Sequence, residues 1–63
     1  MKPDAAFEGN PVELKPNTSS GISLGKRQLQ KYMIAMDRQL GYLVTYSDGG
    51  ATFEITVIIR KGG

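Results

Sequence analysis

One apolar stripe decides most of what this chain can become. Leu29, Met33, Met36 and Leu40 recur at i, i+4, i+7 and i+11, the spacing that lines one side of an α-helix. The stripe predicts a helix from Ser23 or Leu24 to Leu40. Ser23 is the expected N-cap, and Gly41 is the expected residue just past the last turn. Arg27, Lys31 and Arg38 fall on the opposite side. Gln28 and Tyr32, four apart, share one edge of the stripe.

The flanking stretches read as strands and turns. Lys2 to Phe7 is an expected short strand, with Ala5 and Phe7 alternating against Asp4 and Ala6. Glu8-Gly9-Asn10-Pro11 is a turn by composition, and Pro11 suits the start of the next strand. In that strand, Val12 to Lys15, alternation puts Val12 and Leu14 on one face and Glu13 and Lys15 on the other. Pro16 to Gly21 reads as a loop. Beyond the helix, Tyr42 to Tyr46 has strand propensity, and Ser47-Asp48-Gly49-Gly50 carries the Asp-Gly signal of a hairpin. The last strand is expected over Thr52 to Arg60, with Phe53, Ile55, Val57 and Ile59 on one face and Glu54, Thr56, Ile58 and Arg60 on the other. Lys61-Gly62-Gly63 reads as a frayed tail. The order is β-β-α-β-β: an α/β chain with a small mixed sheet covered on one face by one long helix. The strands on either side of the helix are expected to be parallel.

Composition narrows the chemistry. Sixty-three residues make one domain with a small core. There is no cysteine and no histidine, which excludes disulfides, thiolate zinc sites and imidazole bases. Catalysis in such a chain falls to carboxylates, Lys, Tyr or a metal held by oxygen, and magnesium or manganese suits that ligand set. The net charge of +2 permits contact with a polyanion without requiring it. No apolar run approaches membrane-spanning length and the N-terminus is polar, so neither a membrane segment nor a signal peptide is expected.

Each candidate site residue has an ordinary reading taken alone. Glu13-x-Lys15 is common solvent-facing decoration, Pro3-Asp4 is ordinary turn chemistry, and Gln28 and Tyr32 suit a surface amide and a half-buried aromatic. The order and spacing carry more. Pro3-Asp4 followed nine residues later by Glu13-Leu14-Lys15, with Gln28-Leu29-Gln30-Lys31-Tyr32 in the helix, resembles the PD-(D/E)xK motif of restriction-endonuclease-like nucleases and the Q-x-x-x-Y signature of their RecB-type branch. The runs from Val12 to Thr18 and from Gly25 to Tyr32 are similar to nuclease domains at the C-termini of bacterial polymorphic toxins.

The resemblance covers Pro3 to about Tyr46 and implies a minimal restriction-endonuclease-like core. It implies metal-dependent phosphodiester hydrolysis, with DNA the expected substrate rather than RNA. Asp4 and Glu13, with the carbonyl of Leu14, would hold Mg2+ or Mn2+. Lys15 would orient the attacking water or offset charge on the phosphate. Gln28 and Tyr32 would sit at the rim. Lys26, Arg27 and Lys31 are expected to contact phosphates; their other reading is a solvated helix face. Family members usually carry a helix and a strand before the aspartate. Residues 1–63 are therefore expected to be a minimal domain, a subunit completed by another, or a fragment of a longer nuclease. If toxin-derived, the domain would act in a target cell's cytoplasm and pair with an immunity protein; otherwise it is expected to be cytoplasmic. The apolar last strand predicts a homo-oligomer with that strand in or near the interface. Two non-enzymatic alternatives stand beside the nuclease: a nucleic-acid- or protein-binding module that keeps the fold, and a self-associating domain in which Glu13 and Lys15 form only a surface ion pair.

Overall fold

A computed structural model describes residues 2–60; the expected tail at 61–63 lies outside them. Strand β1 (Ala5–Phe7) turns into β2 (Asn10–Pro16), followed by helix α1 (Ser19–Met36), β3 (Leu40–Ser47), a 3-10 turn at Asp48–Gly50 and β4 (Thr52–Ile59). The strands form one sheet in the order β1-β2-β3-β4. β1 and β2 are antiparallel, β2 and β3 parallel, and β3 and β4 antiparallel. This is the expected β-β-α-β-β arrangement, a four-stranded mixed sheet with one helix.

Both hairpins close on backbone with positive φ. Glu8 (φ 51°) and Gly9 (φ 81°) form the two-residue connection between β1 and β2, the left-handed pair that matches strand twist. Asp48, Gly49 and Gly50 do the same between β3 and β4.

The helix starts and stops earlier than the stripe suggests. Its N-cap is Thr18, not Ser23: Thr18 Oγ1 accepts the Gly21 N–H at 3.0 Å. The expected loop from Pro16 to Gly21 is thus partly β2 and partly the first helical turn. Ser and Gly are poor helix formers, but burial against the sheet overrides that preference at Gly21 and Gly25. At the other end Asp37 turns left-handed (φ 54°, ψ 48°). The Arg38 N–H then bonds to Met33 O at 2.8 Å and the Asp37 N–H to Ile34 O at 3.2 Å, a Schellman-type stop. Arg60 reinforces it, donating to Met33 O at 3.2 Å and to Asp37 Oδ1 at 3.3 Å.

The early stop corrects three assignments. Met36 is 38% exposed rather than core. Leu40 and Gly41 belong to β3, where Gly41 packs under Leu29 and Met33. Arg38 lies past the helix and binds Asn10 Oδ1 and Glu8 O, each at 3.0 Å. The buried ridge runs Gly21, Gly25, Leu29, Met33, four residues apart. Leu29, Met33 and Leu43 form the core, with Ile22 and Ile58 packed against it.

The register sorts the sheet into two unlike faces. Toward the helix run the rows Pro11–Gly41–Ile58, Glu13–Leu43–Thr56 and Lys15–Thr45–Glu54. Away from it run Val12–Tyr42–Val57, Leu14–Val44–Ile55 and Pro16–Tyr46–Phe53. The helix covers only the first face.

Candidate active site

The antiparallel hairpin brings Asp4, just before β1, alongside the middle of β2. The Leu14 N–H donates to Asp4 Oδ2 at 2.9 Å, so the main chain of the Glu-Leu-Lys triplet fixes the aspartate. Glu13 points under the helix with its side chain 3% exposed, and Lys15 Nζ stands 3.7 Å from Glu13 Oε2. That distance is longer than a charge-assisted hydrogen bond, so the lysine acts on Glu13 mainly as a nearby positive charge. Asp4, Glu13 and Lys15 therefore meet, two carboxylates and one ammonium at one end of a strand pair.

The acid pair is strained electrostatically. Burial holds Glu13 above its ordinary pKa, and the Asp4 carboxylate beside it pushes the same way, against the smaller lowering effect of Lys15. Tyr32 is raised too, first by burial and then by the negative charges of Glu13 and Asp4. Its phenol thus belongs to the same electrostatic neighbourhood. Gln28 stands one helical turn before Tyr32, on the same edge, and its Oε1 is buried without a hydrogen-bond partner.

Gly25 is the residue that sequence reasoning missed. A Cβ there would lie 2.5 Å from Leu43 Cδ1 and 3.0 Å from Lys15 Cγ. The helix therefore presses directly on the Lys15 stem, and only glycine leaves room. The available signal was the four-residue spacing of Gly21, Gly25, Leu29 and Met33, which continues the apolar ridge through two glycines.

The basic residues of α1 are divided. Lys26, Arg27 and Lys31 are all exposed. Lys31 lies three residues beyond Gln28 and neighbours its edge, whereas Arg27 lies on the solvent side of α1, opposite the buried ridge. Lys26 shares the opposite flank with Ile22 and Leu29, at spacings of four and three residues.

The oxygen donors suit a hard divalent cation, since two carboxylates that repel each other would be relieved by one. Among the described residues no three Asp or Glu side chains gather tightly enough to hold a metal by themselves. A further oxygen donor is available on the main chain, where Leu14 adjoins both acids.

A hairpin that supplies an aspartate and a Glu-x-Lys strand to one helix-covered edge defines a restriction-endonuclease-like α/β domain. The family model for restriction endonuclease fold toxin 9 matches residues 1–49, which run from before Asp4 through the end of β3. The chain belongs to that family of restriction endonuclease fold toxins. No curated protein and no solved structure matches it.

Proposed function

We propose that this chain is a metal-dependent nuclease that hydrolyses phosphodiester bonds, with DNA as its preferred substrate. The observation that carries the reading is the convergence of Asp4, Glu13 and Lys15, held by the Leu14–Asp4 bond at 2.9 Å and the Lys15–Glu13 contact at 3.7 Å. Membership of a restriction endonuclease fold toxin family supports it.

Asp4 and Glu13, with the Leu14 carbonyl, would hold Mg2+ or Mn2+. When bound, such an ion polarises a phosphoryl oxygen and makes hydroxide available near neutral pH. The other roles belong to the chain itself. Lys15 places positive charge where the phosphate gains negative charge in the transition state. Tyr32 and Gln28 present a phenol and an amide beside the acid pair, where they orient Lys15 or hydrogen-bond the substrate. Lys31 next to that rim and Arg27 on the solvent side of α1 hold phosphates without reading sequence; Lys26 adds a contact from the far flank. The cellular partner of such a toxin would be an immunity protein.

The test has two readouts. Plasmid, linear DNA and RNA are incubated with the chain in magnesium, in manganese and in chelator, and melting is followed under the same conditions. Wild type should cleave only with metal, and metal should raise its melting temperature as any native-state ligand does. Glu13→Gln should lose both effects. Lys15→Ala should keep the metal-dependent shift and lose cleavage. A wild-type melting temperature that ignores both metals would refute the site assignment.

A further inference from the structure

Among the described residues, the face of the sheet away from α1 is apolar, uncovered and free of charge. Phe7, Leu14, Phe53, Ile55, Val57 and Ile59 are 52–65% exposed on it. By register every residue on that face of β1 to β4 is uncharged. Two shallow apolar depressions lie there, one beside Leu14 and Phe53, the other beside Phe7 and Ile55, with Val44 lining both. The covered face is small by comparison. Its buried apolar side chains are Leu29, Tyr32, Met33 and Leu43, a modest core for independent folding.

We infer that this face docks on the same face of a second copy, giving a two-fold dimer layered helix, sheet, sheet, helix. The area argues for it. At about 150–250 Å² for an aromatic side chain and somewhat less for an aliphatic one, the six residues leave about 600 Å² exposed. The half-buried Val12, Tyr42 and Val44 and the exposed Tyr46 bring the patch close to the ~800 Å² per partner of a standard interface. Charge argues for it as well. A face without Asp, Glu, Lys or Arg gives an acidic or basic partner nothing to pair with, whereas two identical uncharged faces meet without like-charge contacts. Stacked sheets at about 10 Å separation are an established way to bury such surfaces. This arrangement differs from pairing along the free edge of β4, which would leave Phe7 and Leu14 in water.

The dimer also bears on the acid pair, independently of what that pair does. β1 is three residues long and wholly exposed. Phe7 meets Tyr42 edge-on on the open face, with ring centroids 5.8 Å apart. Burying Phe7 between copies clamps the strand that follows Asp4.

Sedimentation equilibrium of the full chain from micromolar to hundreds of micromolar tests this. Wild type should reach twice the 6.9 kDa chain mass. Ile55→Lys should be monomeric with its helical circular dichroism kept. Ile34→Lys, changing a residue 65% exposed on α1, should still dimerise. Phe7→Ser is the milder variant that decides if Ile55→Lys fails to fold, and should weaken dimerisation about tenfold or more. A monomeric wild type overturns the inference, and if that monomer binds neutral phosphatidylcholine vesicles the face belongs to lipid instead. A dimer lost in Ile55→Lys but intact in Phe7→Ser overturns it in favour of β4 edge pairing, and a dimer indifferent to both substitutions places the contact on another surface.

Discussion

Replacing Gly21 by alanine should destabilise this chain, although alanine is the better helix former. Gly21 lies in the first turn of α1 and is buried. An added Cβ would sit 2.4 Å from Pro16 O and 3.0 Å from Thr18 Oγ1, the first about 1 Å short of the 3.4 Å where ordinary contact begins. Neither neighbour can retreat cheaply. Pro16 O accepts the Thr18 N–H at 2.8 Å, and the next residue, Asn17, donates to Tyr46 O at 2.8 Å. Thr18 Oγ1 is the cap for Gly21 itself. The propensity gain of Gly to Ala is about 1 kcal/mol. Against it stand overpacking of about 1–3 kcal/mol and a weakened cap of about 1 kcal/mol. The net loss is about 1–3 kcal/mol. With a urea m-value of about 1 kcal/mol per molar for so small a chain, the midpoint should fall by about 1–3 M in a circular dichroism titration. Ser23→Ala, at an exposed helix position, is the control and should hold or slightly raise the midpoint. A Gly21→Ala midpoint at or above that of wild type would refute the claim that the Pro16 carbonyl fixes the start of the helix.

Two further outcomes are expected. Met33→Asp should abolish folding, because Met33 is 0% exposed and an unpaired buried charge exceeds the few kcal/mol that stabilise a chain of this length; Met36→Asp, at a residue 38% exposed, should cost about 1 kcal/mol or less, and equal unfolding of the two by circular dichroism would restore Met36 to the core. Glu13→Gln should stabilise the metal-free chain at pH 7 and make little difference at pH 4. The folded pKa of Glu13 is raised, so the folded chain holds more protons than the unfolded one above the ordinary value of 4.5, and wild-type stability falls as pH rises from there through the raised value. Urea melts of both proteins across that range measure the gap, and a gap that does not widen with pH would contradict the burial and acid-pair account of Glu13.

The elements that obey a period could be read from the chain before its fold. Alternation in Val12 to Lys15 gave the correct two faces of β2, and the last strand sorted Phe53, Ile55, Val57 and Ile59 together as the register does. The helix ends were not readable in the same way. Leu40 continues the i+7 spacing perfectly, yet Asp37 breaks the helix by adopting a left-handed conformation that the Arg60 clamp favours from the far end of β4. That contact joins residues 23 positions apart, so no local pattern contains it. The N-terminal error has a similar origin. Ser19, Ser20 and Gly21 have loop-like preferences, and only the sheet below them makes a helical turn of glycine and serine worthwhile. In the candidate site, the motif residues named Asp4, Glu13 and Lys15, but the way Asp4 is held was hidden: its partner is a backbone N–H, which has no residue identity to read.

Leu14 joins the two halves of this molecule. Its side chain stands 52% exposed on the open apolar face, while its N–H holds Asp4 and its chain neighbours Glu13 and Lys15 turn the other way beneath the helix. A strand with a period of two keeps chemistry and association on opposite faces, so a substitution on one face need not disturb the other. The backbone, however, is common to both. Anything that fixes Leu14 and Phe7 from the open side also fixes the hairpin register that sets Asp4 against Glu13. A one-residue slip of β1 against β2 would break the Leu14–Asp4 bond and move Phe7 off the apolar face at the same time. Burial on the open side therefore opposes the slip that would dissolve the acid pair. In a chain whose first strand is three exposed residues long, that is the interaction best placed to hold the site in register.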